Sequence, residues 1–119
     1  GEGTYTFAGG DTYTGSYLDD KKNGHGVYTW ADGSVYDGQY EKDLKNGFGT
    51  YTFADGSVYE GTFVDDRRSG NGIYTWPNGH RYEGQFENDE INGEGTYTWP
   101  SGRSFHGTFK NGAIVGLDG

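Results

Sequence analysis

The stretch Tyr36-Asp37-Gly38-Gln39-Tyr40 places an aromatic residue, a glycine and an aromatic residue at every second position. Each copy of this pattern lies 23 residues after the last, and the copies occupy residues 13–17, 36–40, 59–63, 82–86 and 105–109. A fixed period of this length is typical of tandem-repeat proteins. We therefore treat residues 1–119 as one repeat domain, with repeats at 1–23, 24–46, 47–69, 70–92 and 93–112 and a C-terminal tail at 113–119.

The composition is unusual for a protein with an aliphatic core. Aromatic residues number 21 of 119 (3 Trp, 11 Tyr and 7 Phe), and 24 residues are glycine. Such a chain has to bury or present aromatic surface instead.

The charge balance excludes several classes of partner. The net charge is −9, with 18 acidic and 9 basic residues and no basic cluster, so we expect neither nucleic-acid binding nor direct binding to membrane lipid. The chain has no cysteine, no apolar stretch of transmembrane length and no visible signal peptide. We expect an intracellular protein, cytoplasmic or part of a cytoskeletal or membrane-associated complex. It starts with Gly1 at a repeat boundary and has no methionine, as expected for a segment of a longer protein or a designed sequence.

Within each repeat, two segments alternate with period two, which predicts a β-hairpin. A two-residue turn at 32–33 is one option, but the same register in later repeats would place Pro77 and Pro100 where the ladder needs an N–H group. A three-residue loop avoids this conflict and sets glycine at its left-handed third position. In that register Tyr28 lies opposite Tyr36.

This register separates two faces of the sheet, since a one-residue slip would exchange them. Four aromatic columns over five repeats give 20 positions, all of which are aromatic, and only Phe48 lies outside them. The linkers at 18–23, 41–46, 64–69 and 87–92 are too short for a crossover helix, so successive hairpins continue as a meander. The predicted fold is all-β: an elongated single-layer antiparallel sheet of about ten strands, roughly 50 Å long.

These residues resemble the MORN (membrane occupation and recognition nexus) repeat family from Gly1 to about Gly112. The resemblance rests on the Tyr-x-Gly-x-Phe/Tyr motif, the Gly-x-Gly segment at 47–49 and the Ala-Asp-Gly turn at 54–56. The first repeat departs from the pattern at Gly9-Gly10 and Thr14 and the last at Phe105 and His106, as expected of capping repeats. The resemblance implies a curved sheet whose groove docks protein segments, often helical, without catalysis by the repeats themselves. It also implies that terminal repeats can dimerise.

Two roles remain open for the aromatic face. Its rings can cover neighbouring glycines, as Tyr40 would cover Gly24, and they can contact a partner, because a single-layer sheet has no second layer. The candidate contact residues are aromatic side chains from three of the four columns. They are Trp30, Tyr36, Tyr40, Phe53, Tyr59, Phe63, Trp76, Tyr82, Phe86 and Trp99.

The polar residues do not form a catalytic or metal-binding pattern. The acidic column Asp37, Glu60 and Glu83 is expected to be solvated. The three histidines fall at different repeat positions, and the 19–24 segment lacks the ligand set of a calcium loop. We therefore expect no enzyme, no cofactor and no metal site.

Three functional hypotheses follow from the aromatic face. The first is a non-catalytic protein-interaction scaffold that docks a helical or extended segment of a protein or peptide in an aromatic groove. The second is a carbohydrate-binding module, since rings beside Asp, Asn and Gln suit sugar stacking. The third is a structural spacer or dimerisation module that forms a homodimer.

Overall fold

The computed structural model describes residues 1–117, with side chains for residues 1–112. Within residues 1–117, every regular element is a β-strand. The strands are β1 Glu2–Thr6, β2 Thr12–Leu18, β3 Lys21–Thr29, β4 Val35–Glu41, β5 Leu44–Thr52, β6 Val58–Val64, β7 Arg67–Thr75, β8 Arg81–Glu87, β9 Glu90–Thr98, β10 Ser104–Lys110 and β11 Ala113–Leu117.

The strands form one antiparallel sheet in chain order, from β1 to β11, so the predicted all-β meander is confirmed. The molecule measures 50 × 25 × 18 Å, in agreement with the predicted length of the ribbon. The sheet has eleven strands rather than about ten, because the first part of the tail, β11, pairs with β10.

The hairpin turn within each repeat is the predicted three-residue loop. The pairs Tyr28↔Tyr36 and Thr29↔Val35 hold the register of β3 and β4. At the loop, the backbone N–H of Trp30 donates to the Ser34 carbonyl (2.9 Å), and Gly33 has a φ of +97°. A proline at the first loop position meets no ladder acceptor there, which is why this register suits all repeats.

The connections between repeats are tighter than the predicted linkers. Only two residues lie outside the strands, for example Lys42 and Asp43, and both have positive φ (50° and 73°). Two consecutive residues with positive φ are the conformation of a type I′ turn, whose twist matches the flanking strands. The remaining linker residues extend the following strand, so that β5 begins at Leu44.

Close approach of two strands creates the core of this single layer. A Cβ on Gly38 would lie 2.5 Å from the Cα of Gly49, so only glycine fits there. The fully buried ring of Tyr36 covers this glycine pair, and its hydroxyl donates to the Gln39 carbonyl (2.8 Å). The same arrangement recurs at Tyr13, Tyr59 and Tyr82.

The expected cover of Gly24 by Tyr40 stays a prediction. The two residues are paired across β3 and β4, but Gly24 has a φ of +87°, so a Cβ there would meet Ser16 instead. The glycine cover that the contacts do show comes from the first aromatic residue of the motif, as at Tyr36.

Candidate functional site: the aromatic face

The aromatic face carries an outer row of rings beside the hairpin turns. Neighbouring ring centroids lie 4.5 to 5.9 Å apart along the ribbon, as in Tyr28–Trp30 (4.5 Å) and Trp30–Tyr51 (5.2 Å). The outer row consists of Phe7, Tyr28, Trp30, Tyr51, Phe53, Tyr74, Trp76, Tyr97, Trp99 and Phe105. Its continuity makes one aromatic surface out of five repeats.

A second, inner row lies deeper and forms the core. Its rings meet edge to face, as in Tyr36–Phe63 (5.2 Å, 90°) and Tyr59–Phe86 (5.0 Å, 83°), the arrangement that ring quadrupoles favour. The inner row consists of the buried residues Tyr13, Tyr36, Tyr40, Tyr59, Phe63, Tyr82, Phe86 and Phe109.

Three basic side chains lie across both rows. The Lys45 ammonium is 5.8 Å from the ring centroid of Tyr36 and 5.9 Å from that of Trp30, and Lys22 and Arg68 take the same place in their repeats. These side chains are only 17 to 23% exposed. Cations at this distance are attracted to ring faces, and their aliphatic stems cover apolar surface. They help explain why a single-layer sheet can bury its inner row.

Each of these cations is held by an aspartate of the next inter-repeat turn. Lys45 contacts Asp66 at 3.3 Å, and the same carboxylate accepts the Lys45 backbone N–H at 2.7 Å. The pairs Lys22–Asp43 and Arg68–Asp89 repeat this contact. The Lys22 backbone N–H lowers the pKa of Asp43 below its ordinary value, assisted by the Lys22 side chain. Each of these aspartates therefore fixes the position of both its turn and the cationic side chain.

The comparison with protein families agrees with this geometry. The MORN repeat model matches residues 1–12, 13–35, 36–58, 59–81 and 82–102. The chain belongs to the MORN repeat family. The last four matched segments begin 23 residues apart, at the buried tyrosines Tyr13, Tyr36, Tyr59 and Tyr82, whereas the repeats predicted from the sequence begin at Gly24 and its equivalents. A comparison with curated protein sequences finds no match.

Membership in the MORN repeat family restricts the functional classes. MORN repeats are generally protein- or membrane-interaction repeats and are typically non-enzymatic. Proteins that carry them are often membrane-associated. In residues 1–117, no helix is long and apolar enough to cross a membrane.

The predicted contact residues of these MORN repeats divide into two groups. Six have nearly all their surface used in packing: Tyr36, Tyr40, Tyr59, Phe63, Tyr82 and Phe86. The other four belong to the outer row and keep exposed ring surface: Trp30, Phe53, Trp76 and Trp99. A fully buried ring cannot touch a partner while the sheet is closed, so any direct contact falls to the outer row. Partner binding by these four residues stays a prediction.

Burial also sets the chemistry of the tyrosines. Burial raises the pKa of Tyr13, Tyr28 and Tyr59 to about 12. At Tyr28 the Asp11 carboxylate adds to this rise. Burial raises the pKa of Tyr36 and Tyr40 further. The phenols are therefore neutral at physiological pH. The hydroxyls of Tyr13, Tyr28, Tyr36 and Tyr59 act as hydrogen-bond donors, not as charged ligands.

The sequence pattern predicts linkers at Lys22, Lys45 and Arg68 and assigns these basic residues no functional role. A signal was present, because Lys, Lys and Arg recur at the 23-residue period. Strand alternation from Lys22 to Trp30 also places both on one face.

The opposite face of the MORN sheet is polar and solvated, as predicted. Asp37, Glu60 and Glu83 are all exposed, and Asp37 lies 2.6 Å from His25. Phe48, predicted to lie outside the aromatic columns, is 59% exposed there. This ring offers a control for any test of the aromatic face.

Proposed function

We propose that this chain is a non-catalytic protein-interaction scaffold that docks a helical or extended segment of a partner protein along the outer row. The observation that carries the proposal is the unbroken line of ring contacts from Phe7 to Phe105, with exposed surface at Trp30, Phe53, Trp76 and Trp99. Trp and Tyr side chains contribute large contact areas with few rotatable bonds, which suits them to binding hot spots.

Charge at the rim favours a partner with basic residues beside its apolar ones. The carboxylates of Asp43, Asp66 and Asp89 are 44 to 49% exposed, whereas their cationic partners are mostly covered. A partner that approaches this rim therefore contacts the carboxylate of each pair before the cation. Together with the net charge of −9, this arrangement favours a protein segment over an anionic membrane surface. The intracellular location expected from the sequence stays a prediction.

The proposal is tested with peptides selected from a displayed random library on the intact chain. The affinity of the selected peptides is then measured for the Trp30→Ala/Trp76→Ala double variant. We expect at least a tenfold loss, equivalent to about 1.4 kcal/mol or more, because two exposed anchors are removed.

Two control variants separate docking from loss of stability. Phe48→Ser removes a more exposed ring from the opposite face, and Tyr36→Phe weakens the core while the outer row stays intact. Both should bind the peptides like the unmodified chain. Unchanged affinity in the double tryptophan variant, or an equal loss in Phe48→Ser, would refute docking on the outer row. Concentration-dependent dimerisation by light scattering that is lost in the double variant would instead assign the face to a second copy.

A further inference from the structure

Lys22, Lys45 and Arg68 occupy the same position in successive repeats, and the next copy of this position differs from them. Residue 91 is the equivalent of Lys22, Lys45 and Arg68, and it is isoleucine. The aspartate that would pair with a cation there is replaced by Gly112, although the backbone bond from the Gly112 N–H to the Ile91 carbonyl is kept (2.9 Å). Both members of the ion pair are thus replaced together while the fold of the turn is preserved.

The rings around this position are retained. Tyr82 packs edge to face on Phe109 (5.0 Å), and Trp76 packs on Tyr97 (5.6 Å), as their equivalents do around Lys45. An isoleucine is shorter than a lysine or an arginine and leaves part of this ring surface uncovered.

An open cavity of about 640 Å³ lies at this place. Its lining is mainly apolar and aromatic: Trp76, Asn78, His80, Ile91, Tyr97, Trp99, Phe105, Phe109 and Gly112. The cavity beside Lys45 is smaller, about 230 Å³, and is lined by the charged pairs Lys45–Asp66 and Arg68–Asp89. Loss of one ion pair therefore coincides with the larger and less polar cavity.

The chemistry of the lining decides between two occupants. A cation would find aromatic faces, but it would find no carboxylate among the described lining residues, because Gly112 stands where Asp43, Asp66 and Asp89 hold the other cations. An apolar side chain loses no hydration energy on entering and covers ring surface that is otherwise wet. The lack of a carboxylate among the described lining residues thus favours an apolar occupant.

We propose that the cavity around Ile91 is an anchor pocket for one large aliphatic side chain of the docked partner segment, and that it fixes the register of that segment. The rest of the aromatic face repeats every 23 residues and, by itself, would accept a segment in several registers. The rim carboxylates beside the other repeats match basic residues that flank the anchor. The register role rests on the proposed function, whereas occupancy of the pocket can be measured without a partner.

The three tryptophan indole N–H signals in nuclear magnetic resonance spectra report on the pocket, and one of them serves as an internal control. Trp76 and Trp99 line the cavity, whereas Trp30 lies beside Lys45, where the ion pair is present. Titration of the intact chain with N-acetylleucinamide should shift the Trp76 and Trp99 signals in a saturable way and leave Trp30 in place. Tetramethylammonium, a cation similar in bulk to the isobutyl side chain of leucine, should shift neither.

A charge-restoring variant closes the pocket. Ile91→Lys/Gly112→Asp rebuilds the pair found in the other repeats, and position 112 accepts an aspartate, because its φ of +82° is close to that of Asp89 (72°) and a Cβ there meets no atom within 4 Å. Saturable binding of N-acetylleucinamide should be lost in this variant, with the spectrum of a folded protein retained.

The reverse variant keeps the proposal testable even if the first one does not fold. Lys45→Ile/Asp66→Gly removes the pair beside Trp30 and should create a second pocket, so that the probe now shifts the Trp30 signal as well.

Four results would overturn the proposal. In the intact chain they are tetramethylammonium binding in place of N-acetylleucinamide, and equal or absent shifts at all three tryptophans. In the variants they are probe binding that survives in a folded Ile91→Lys/Gly112→Asp protein, and no gain at Trp30 in Lys45→Ile/Asp66→Gly. Any of these results leaves the peptide test of the outer row intact. A failed peptide test with a working pocket would instead refute the docking function and the register role alone.

Discussion

The ring of Tyr36 fills the space in which a side chain of Gly49 would stand. A Cβ on Gly49 would lie 2.5 Å from both the Cε1 and the hydroxyl oxygen of the tyrosine. The ring cannot move aside easily, because it is fully buried and its hydroxyl donates to the Gln39 carbonyl. A glycine on one strand and a tyrosine on the next thus make up one structural unit, which recurs at Tyr13, Tyr59 and Tyr82.

Gly49→Ala should therefore lower the free energy of unfolding by about 3 kcal/mol or prevent folding, since the methyl group overpacks the core. Urea denaturation measures the change. Gly9→Ala is the matched control, because a Cβ there meets nothing within 4 Å and should alter stability little. Equal effects of the two substitutions would show that Tyr36 does not need a glycine beneath it.

Tyr36→Phe should lower the free energy of unfolding by roughly 1 to 2 kcal/mol, because the part-buried Gln39 carbonyl loses its donor. Urea denaturation again measures the effect. Tyr74→Phe is the control, since the Tyr74 hydroxyl has no hydrogen-bond partner among the described side chains and backbone groups. If both variants lose the same free energy, the hydroxyl of Tyr36 contributes nothing specific.

Alkaline pH should unfold the protein. Burial raises the pKa of Tyr59 to about 12, above its value of about 10 in the unfolded chain. Its contribution, roughly 2 to 3 kcal/mol for two pKa units, is fully present below pH 10 and is lost as the pH rises through about 12. Denaturant unfolding as a function of pH, with phenolate absorbance, measures this loss, and Tyr59→Phe should show a weaker dependence. Titration of every tyrosine near its ordinary pKa with no change in stability would contradict the predicted shifts.

Asp43→Asn should weaken the response to acid. The lowered pKa of Asp43 makes its carboxylate stabilising above about pH 3.8, and this contribution is lost as the pH falls through the lower pKa of the folded state. Asparagine tolerates the positive φ at this position (73°) and can still accept the Lys22 N–H. Stability of the variant should therefore change less with pH in the acid range. If the free energy of unfolding depends on acid pH in the same way in the variant and in the unmodified chain, the Asp43 carboxylate has no stabilising role.

Lys42→Asn should raise the free energy of unfolding by roughly 0.5 to 1 kcal/mol, because asparagine accepts left-handed backbone better than lysine does. The φ of Lys42 is 50°, and the equivalent turn of a later repeat holds Asn88 at 49°. Thermal and urea unfolding measure the gain. Lys42→Ala, which lacks the amide, should give none, so a similar gain in both variants would assign the effect to the removed charge.

Much of this fold could be predicted from local patterns. Alternation with period two indicates strands, and prolines at Pro77 and Pro100 select the three-residue loop, because each constraint acts between residues close in sequence. The pairing Tyr28↔Tyr36 follows from that register and is confirmed.

The candidate site was predicted less completely. The aromatic columns were found, but their division into buried and exposed rows was not, since burial depends on what lies over a ring. The covering groups come from residues such as Lys45, which lies in a segment taken as a linker and is held by Asp66, 21 residues away. The two-residue turns allow that segment to continue as a strand and turn its side chains onto the aromatic face.

The sequence alone thus determined the repeat period, the strand alternation and the separation of an aromatic from a polar face. These properties depend on backbone geometry and on the spacing of residue types within one repeat. Only the tertiary structure decided which rings stay open, how Tyr36 covers Gly49, and where the column of cations ends at Ile91 and Gly112. These properties depend on contacts between neighbouring strands and turns, whose distances exist only once the sheet has formed.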